Sequence, residues 1–151
     1  MSAGDRTAAT HVMMVIDCSV TMAWCFEDEA TPFTREILQR LADVDALVPL
    51  LWPLEVANVL ALAERRGRIT RAKATAFIEL LGQLPIVPDE ESAQRSWGSV
   101  IELCREQRLS AYDAAYLDVA LRRDVPLATL DVELRAAAQC VGVTLVGPSS
   151  A

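Results

Sequence analysis

"MMVID", residues 13–17, decides the fold. It is a short apolar run closed by an acid, and it reads as a buried strand. Working outward, the same kind of run recurs. "ALVPL" (46–50), "PIVP" (85–88), "VPLATL" (125–130) and "VTLVG" (143–147) each have strand length. Between them lie segments of helical period. "TPFTREILQRLADV" (31–44) sets Phe33, Ile37, Leu38 and Leu41 on one face. "PLEVANVLALAERRG" (53–67) has Pro at its first position and Gly67 as its stop. Residues 70–84 follow as its hairpin partner, and residues 91–109, 110–124 and 131–142 read as three more helices. Buried strands alternating with helices imply an α/β fold, a short parallel sheet flanked by helices on both faces. One domain over 13–147 is expected, behind a small polar tail over 1–12, read as loose and flexible.

The bulk numbers bound the function. At 151 residues and 52% hydrophobic, the chain supports one real core and is not a disordered acidic chain. No apolar run approaches the roughly 20 residues of a membrane span, and no signal peptide is expected from the residues at the start. Cys18, Cys25, Cys104 and Cys140 are scattered without a C-x-x-C pair, which suits reduced thiols in a cytoplasmic protein. The single His (His11) excludes histidine triads and zinc sites built on several His. A net charge of −7 argues against non-specific nucleic-acid binding unless the acids are concentrated in one pocket.

Their placement suggests that they are. In open α/β sheets the functional crevice lies beyond the carboxyl ends of the strands. Asp17 closes the first strand and Asp131 closes "VPLATL". Glu55 and Asp113 each stand in the first turn of an apolar helix. Each acid has an ordinary explanation. Asp17 ends a strand, Asp113 follows Ser110 by three as in a capping box, Glu55 suits the helix dipole, and Asp131 suits an N-cap. Together they are harder to explain, because four carboxylates converging in a low-dielectric crevice repel one another. The sequence places no Lys or Arg next to Asp17, Glu55 or Asp131. A hard divalent cation, Mg²⁺ or Mn²⁺, would resolve the conflict. Asp118, five residues beyond Asp113, is rotated by roughly 140° on a helix and is expected to be exposed or paired with Arg122. The acid runs at 27–29 and 89–91 read as a solvated loop and a helix start.

"MVIDCSV", "PLEVANVL", "LSAYDAAYLDVAL" and "PLATLDVEL" together resemble, in order and spacing, the motifs of PIN-domain ribonucleases, above all the VapC toxins of bacterial toxin–antitoxin pairs. The resemblance covers about residues 13 to 147. It implies a PIN-like fold, RNA hydrolysis with Mg²⁺ or Mn²⁺, and a small VapB-like antitoxin that wraps the toxin and blocks the site. It matches Asp17, Glu55, Asp113 and Asp131 to the family's acids. Asp17, Asp113 and Asp131 would hold metal, and Glu55 would bind metal or orient the attacking water. One metal or two is left open. Ser19, Asn58 and Thr129 would fix the carboxylates.

RNA also needs positive charge. Arg65, Arg66 and Arg68 gather at the tip of the helical hairpin, and Arg122 with Arg123 forms a second pair, against the alternative of solvated helix ends. Val56, Val59, Leu60, Phe77, Ile78 and Leu81 give that hairpin surplus apolar surface, and Trp24 and Phe26 add candidate exposed aromatics. These features suggest a homodimer and a groove for an antitoxin helix. Two rival readings stand. One is a non-catalytic module whose acids dock a basic peptide. The other is a metal-dependent phosphatase or receiver-like domain, disfavoured because its pocket Lys has only Lys73 to draw on.

Overall fold

The computed structural model describes residues 13–147. The tail expected over residues 1–12 lies outside them. Four strands form one parallel sheet in the order β3-β2-β1-β4, with β1 Met13–Ile16, β2 Asp45–Pro49, β3 Ile86–Asp89 and β4 Leu127–Ala128. Val15 and Ile16 point to opposite faces of β1, and both are fully buried. Both faces of the sheet are therefore covered, as the unbroken apolar run implies. The helices that cover it are α1 Cys18–Ala23, α2 Pro32–Arg40, α3 Trp52–Arg65, α4 Arg71–Gln83, α5 Ile101–Gln107, α6 Ala111–Arg123 and α7 Val132–Val141. Among the described residues no helix is long and apolar enough to cross a membrane.

Local chemistry sets most helix ends. Thr31 and Thr34 form a reciprocal cap at the start of α2, and the Thr70 side chain caps α4. Gly142 ends α7 at φ 84°, a left-handed conformation that costs glycine little. Three expectations need correction. The single helix expected over 91–109 is a turn, a π-helical turn Ser96–Val100 and then the short α5. The strand expected over 143–147 reduces to one bridge, Leu127 with Leu145. The chain also turns directly from β1 into α1, a helix of six residues that the sequence reading passed over.

Helix α6 runs through the interior. Ala114 through Ala120 are buried without a break, and its alanines let it pack against β1, β2, β4, α5 and α7 at once. Asp118 is therefore not exposed but 2% accessible. Its expected pairing with Arg122 is present, at 3.1 Å. Ser99 donates a second hydrogen bond to Asp118 at 2.6 Å. Arg122, 13% accessible, also holds Asp89 at the end of β3 at 2.5 Å and reaches Glu91 at 3.3 Å. The guanidinium so joins α6 to β3, and Arg123 stands 3.5 Å from the same Asp89. Neither arginine is a free cation for RNA, which corrects that expectation.

The surplus apolar surface is also smaller than expected. Val56, Leu60 and Phe77 are core residues, Val59 and Leu81 pack against the core, and Ile78 is exposed. Phe26 is buried and Trp24 is partly buried, its indole N–H donating to the Thr34 carbonyl at 2.8 Å. The exposed aromatics are instead Trp97 and Tyr112.

Removing one partner of a buried ion pair leaves the others uncompensated. Arg122→Ala is expected to destabilise the protein by about 3 kcal/mol. Asp118→Asn, which keeps the shape but loses the charge, should cost about 1–2 kcal/mol. Urea unfolding followed by circular dichroism measures both, and a wild-type midpoint for Arg122→Ala would show that the cluster contributes nothing.

Candidate active site

The carboxyl ends of β1 and β4 meet, and the site is built there. Asp17 directly follows β1 and caps α1, its Oδ1 accepting from the Val20 N–H at 3.1 Å. Ser19 donates to the same oxygen at 2.6 Å, and the Thr129 hydroxyl donates to Oδ2. The two hydroxyls are themselves fixed. Ser19 Oγ accepts from the Leu130 N–H at 3.0 Å, and Thr129 Oγ1 accepts from the Asp131 N–H at 2.9 Å. Ser19 and Thr129 close the gap between the ends of β1 and β4, with Asp17 and Thr129 lying 112 residues apart in sequence. Asp131 caps α7, accepting from the Leu134 N–H at 3.0 Å. Ser19 and Thr129 thus sit where the sequence reading expected supporting groups.

Glu55 lies in the first turn of α3, half-buried. The hydroxyl that holds it comes from Tyr116 of α6, at 2.5 Å. Asn58, expected beside Glu55, is exposed, and Tyr116 takes the supporting position. A second tie to α3 also escaped the sequence reading. The Trp52 indole donates to the Thr21 hydroxyl at 3.0 Å, and Thr21 donates to the Asp17 carbonyl at 2.9 Å. The start of α3 is thereby locked to the residue after β1. Tyr116 stands one helical turn beyond Asp113, but that spacing says nothing of Glu55. Arg135 was missed as well, although it stands four residues after Asp131. Its guanidinium reaches the Thr129 carbonyl at 3.4 Å.

Asp113 occupies the first turn of α6, where Ser110 caps its N–H at 3.1 Å. Half of the capping box is present, and the carboxylate lies within electrostatic reach of the other acids. Burial and the negative charges of Asp131, Asp17, Glu55 and Glu133 push its carboxyl up to about 6. The charges of Asp131, Asp17, Glu55 and Glu133 that bear on it all have the same sign. Burial also raises Asp17, with a further push from Asp131, against hydrogen bonds from Ser19, Thr129 and Val20 that lower it. Glu55 is raised by burial and by Asp17, and the Tyr116 bond opposes that rise. Burial and the surrounding acids push the Cys18 thiol up to about 12, so it stays neutral. Lys73 is elsewhere, lining a groove with Trp24, Phe26 and Arg68, which leaves a phosphatase or receiver chemistry without its lysine.

This geometry tests the fit of a cation. Among the described residues no three His, Cys, Asp or Glu side chains stand as a ready-made ligand set. The donor chemistry nevertheless suits Mg²⁺ or Mn²⁺, since the groups that converge are carboxylates and they repel one another.

The PIN-domain family model matches residues 14–139. This chain belongs to the PIN-domain family. No curated protein matches its sequence. Among solved structures, this PIN domain is similar to PAE2754 from Pyrobaculum aerophilum, with 25% identity and a TM-score of 0.60 over 85% of this chain and 87% of that one. It is similar in fold to VapBC2 from Rickettsia felis, solved with a promoter DNA fragment, at 9% identity and a TM-score of 0.66 over 89% and 98% of the two chains. It also shares its fold with the Mycobacterium tuberculosis toxin VapC20, described as cleaving the sarcin–ricin loop, at 14% identity and a TM-score of 0.59 over 89% and 99%.

The acid cluster makes a prediction about stability in the absence of metal. Asp113 has a folded pKa near 6, above its usual 3.8. The folded state then binds the proton more tightly than the unfolded state, so stability falls as pH rises from about 4 to about 6. Asp113→Asn removes that loss. With a chelator present, the variant should melt above wild type at pH 7, and the gap should close near pH 4. Thermal melting across this range checks it, and a gap independent of pH would remove Asp113 from the coupled cluster.

Proposed function

We propose that this PIN domain is a Mg²⁺- or Mn²⁺-dependent ribonuclease and the toxin of a VapBC-type toxin–antitoxin pair. The observation that carries the reading is Asp113. It is a half-buried carboxylate that feels four other acids and, among the described residues, no compensating cation, near an Asp17 whose two oxygens are held in place by hydroxyls. Such a cluster is costly to keep without a cationic ligand.

Asp17, Asp113 and Asp131 would hold the ion. When bound, it would make a water more acidic and offset charge on the phosphate. The chain's own residues supply the rest. Glu55, raised by burial and held by Tyr116, suits orienting the attacking water and accepting its proton. The water attacks phosphorus and a P–O bond of the RNA breaks. Ser19 and Thr129 keep Asp17 from rotating away as charge develops.

Arg65 and Arg66 are exposed at the far end of α3, about 15 Å along the helix from Glu55. They suit phosphates a few nucleotides from the cut. Arg68, the third candidate, already grips Asp28 and Glu29 at 2.9 and 2.7 Å and lies over the Phe26 ring. The antitoxin and the homodimer remain part of this reading. The fold shared with VapBC2 and VapC20 supports a toxin with a VapB-like partner. A cytoplasmic location follows from an RNA target, and the domain would span residues 13–147.

Asp17→Asn, Glu55→Gln, Asp113→Asn and Asp131→Asn are each expected to abolish Mn²⁺-dependent RNA cleavage while the fold survives. Thr129→Val should lose roughly 10- to 100-fold. Tyr116→Phe removes a bond that lowers the Glu55 pKa, so the acidic limb of the pH–rate profile should move to higher pH. Cleavage of a labelled RNA by the purified variants checks all of these. An Asp113→Asn variant with wild-type cleavage would leave Asp113 a helix-start residue only. Joint replacement of Arg65 and Arg66 by Ala should weaken RNA binding and flatten the slope of log affinity against log salt, and Arg68→Ala alone should leave the slope unchanged.

A further inference from the structure

Among the described residues, Arg135 is the one cation hydrogen-bonded to a residue of the acid site. Arg40, Arg68, Arg105, Arg122 and Arg123 are engaged by carboxylates elsewhere in the fold. Arg65, Arg66, Arg71 and Lys73 belong to the helical hairpin and Arg35 to α2, while Arg95 precedes the π-helical turn and Arg108 follows α5. Thr129 joins Arg135 to the acids. Its hydroxyl donates to Asp17 and accepts from the Asp131 N–H at 2.9 Å, and its carbonyl accepts from Arg135 Nη1 at 3.4 Å. Both contacts belong to a single residue, so the guanidinium stands beside the acids that Thr129 holds.

The arginine is not explained by its helix. Its N–H bonds the Asp131 carbonyl at 3.0 Å, one turn back. Side chains on a helix lean toward its N-terminus. This one reaches past the capping Asp131 to Thr129, so its charge lies at the positive end of α7. The helix dipole opposes a cation there. The bond to Thr129 does not explain it either. A contact of 3.4 Å to a neutral carbonyl is long, and Thr129 is already held through its hydroxyl. That contact uses one of the five N–H donors of a half-buried guanidinium.

The substrate of the proposed reaction supplies what the arginine lacks. RNA carries a phosphate at every step. With its scissile phosphate at the acids, its neighbouring phosphates pass over the rim of the same crevice, where the carboxylates repel them. A planar guanidinium takes two phosphate oxygens at once. We infer that Arg135 grips an RNA phosphate adjacent to the scissile one, across Thr129 from the acids. The inference rests on the ribonuclease reading and names a second point at which the substrate is held.

The test uses the full chain, the variants Arg135→Gln, Arg135→Lys and Thr129→Val, a short labelled single-stranded RNA, and a chelator to stop cleavage. Affinity is measured across a salt series. Arg135→Gln should bind roughly 10-fold more weakly than wild type. Its slope of log affinity against log salt should shrink by about 0.7, the value of one phosphate contact on a single strand. Arg135→Lys keeps the charge and should keep the slope. Mn²⁺ affinity without RNA, read from the metal-induced rise in melting temperature, should be lowered in Thr129→Val and unchanged in Arg135→Gln. A wild-type slope in Arg135→Gln would overturn the grip, and a loss of Mn²⁺ affinity alongside it would make Arg135 a positioning residue for Thr129 instead. An RNA that wild type fails to bind at any salt would overturn it too. Mn²⁺-dependent cleavage of the same RNA is measured in parallel, and KM is expected to rise in Arg135→Gln more than kcat falls. An Arg135-dependent slope with no cleavage by wild type would uphold the grip and defeat the nuclease reading. Cleavage with the same KM and the same salt slope in wild type and Arg135→Gln would do the reverse.

Discussion

The rest of the site depends on how Asp17 is held. A carboxylate at the end of a central parallel strand is nearly dry, and an unsupported charge there would be costly. Here both oxygens accept hydroxyl protons, and the same two hydroxyls accept backbone N–H groups from the segment that follows β4. This clamp does two things. It makes the buried acid tolerable, and it fixes the spacing between the ends of β1 and β4, which in turn places Asp131. Thr21 and Trp52 extend the frame to α3 and so to Glu55.

Helix α6 serves the site in a different way. Its small residues let it pass through the core, so both of its polar ends are constrained. One end carries Asp113 into a cluster of like charges. The other carries Asp118 and Arg122 into a cluster in which the charges are matched. The contrast is informative because both clusters belong to one helix. Where the chain needs only structure, it supplies its own cation. Where it leaves carboxylates close to one another, the proposed reading has a bound cation supply the missing charge.

That division also explains how an acidic protein could act on RNA. Arg65 and Arg66 put exposed positive charge at the hairpin tip, about 15 Å from Glu55 along α3. Arg135 meets the frame of the site itself, at the Thr129 carbonyl.

The sequence by itself determined the parallel sheet, because buried runs such as "MMVID" admit few other arrangements, and it determined the family through four short motifs in order. It also pointed to Asp17, Glu55, Asp113 and Asp131, since acids at strand ends and helix starts are legible from spacing, and to Ser19 and Thr129 through the family resemblance alone. Only the tertiary structure decided the partners. Tyr116 reaches Glu55 from another helix, 61 residues away, and no spacing rule encodes such a contact. Asp118 looked like a surface acid because helical rotation gives an angle relative to Asp113 but does not tell which sides of the helix are covered, and α6 is covered nearly all round. Arg68 looked like a free cation because charge is visible in a sequence, whereas the carboxylates that neutralise it come from residues 28–29; the local Asp118 partner of Arg122 was legible, but Asp89 and Glu91 from a distant segment were not. Local pattern fixes where a side chain starts, and packing fixes what it meets.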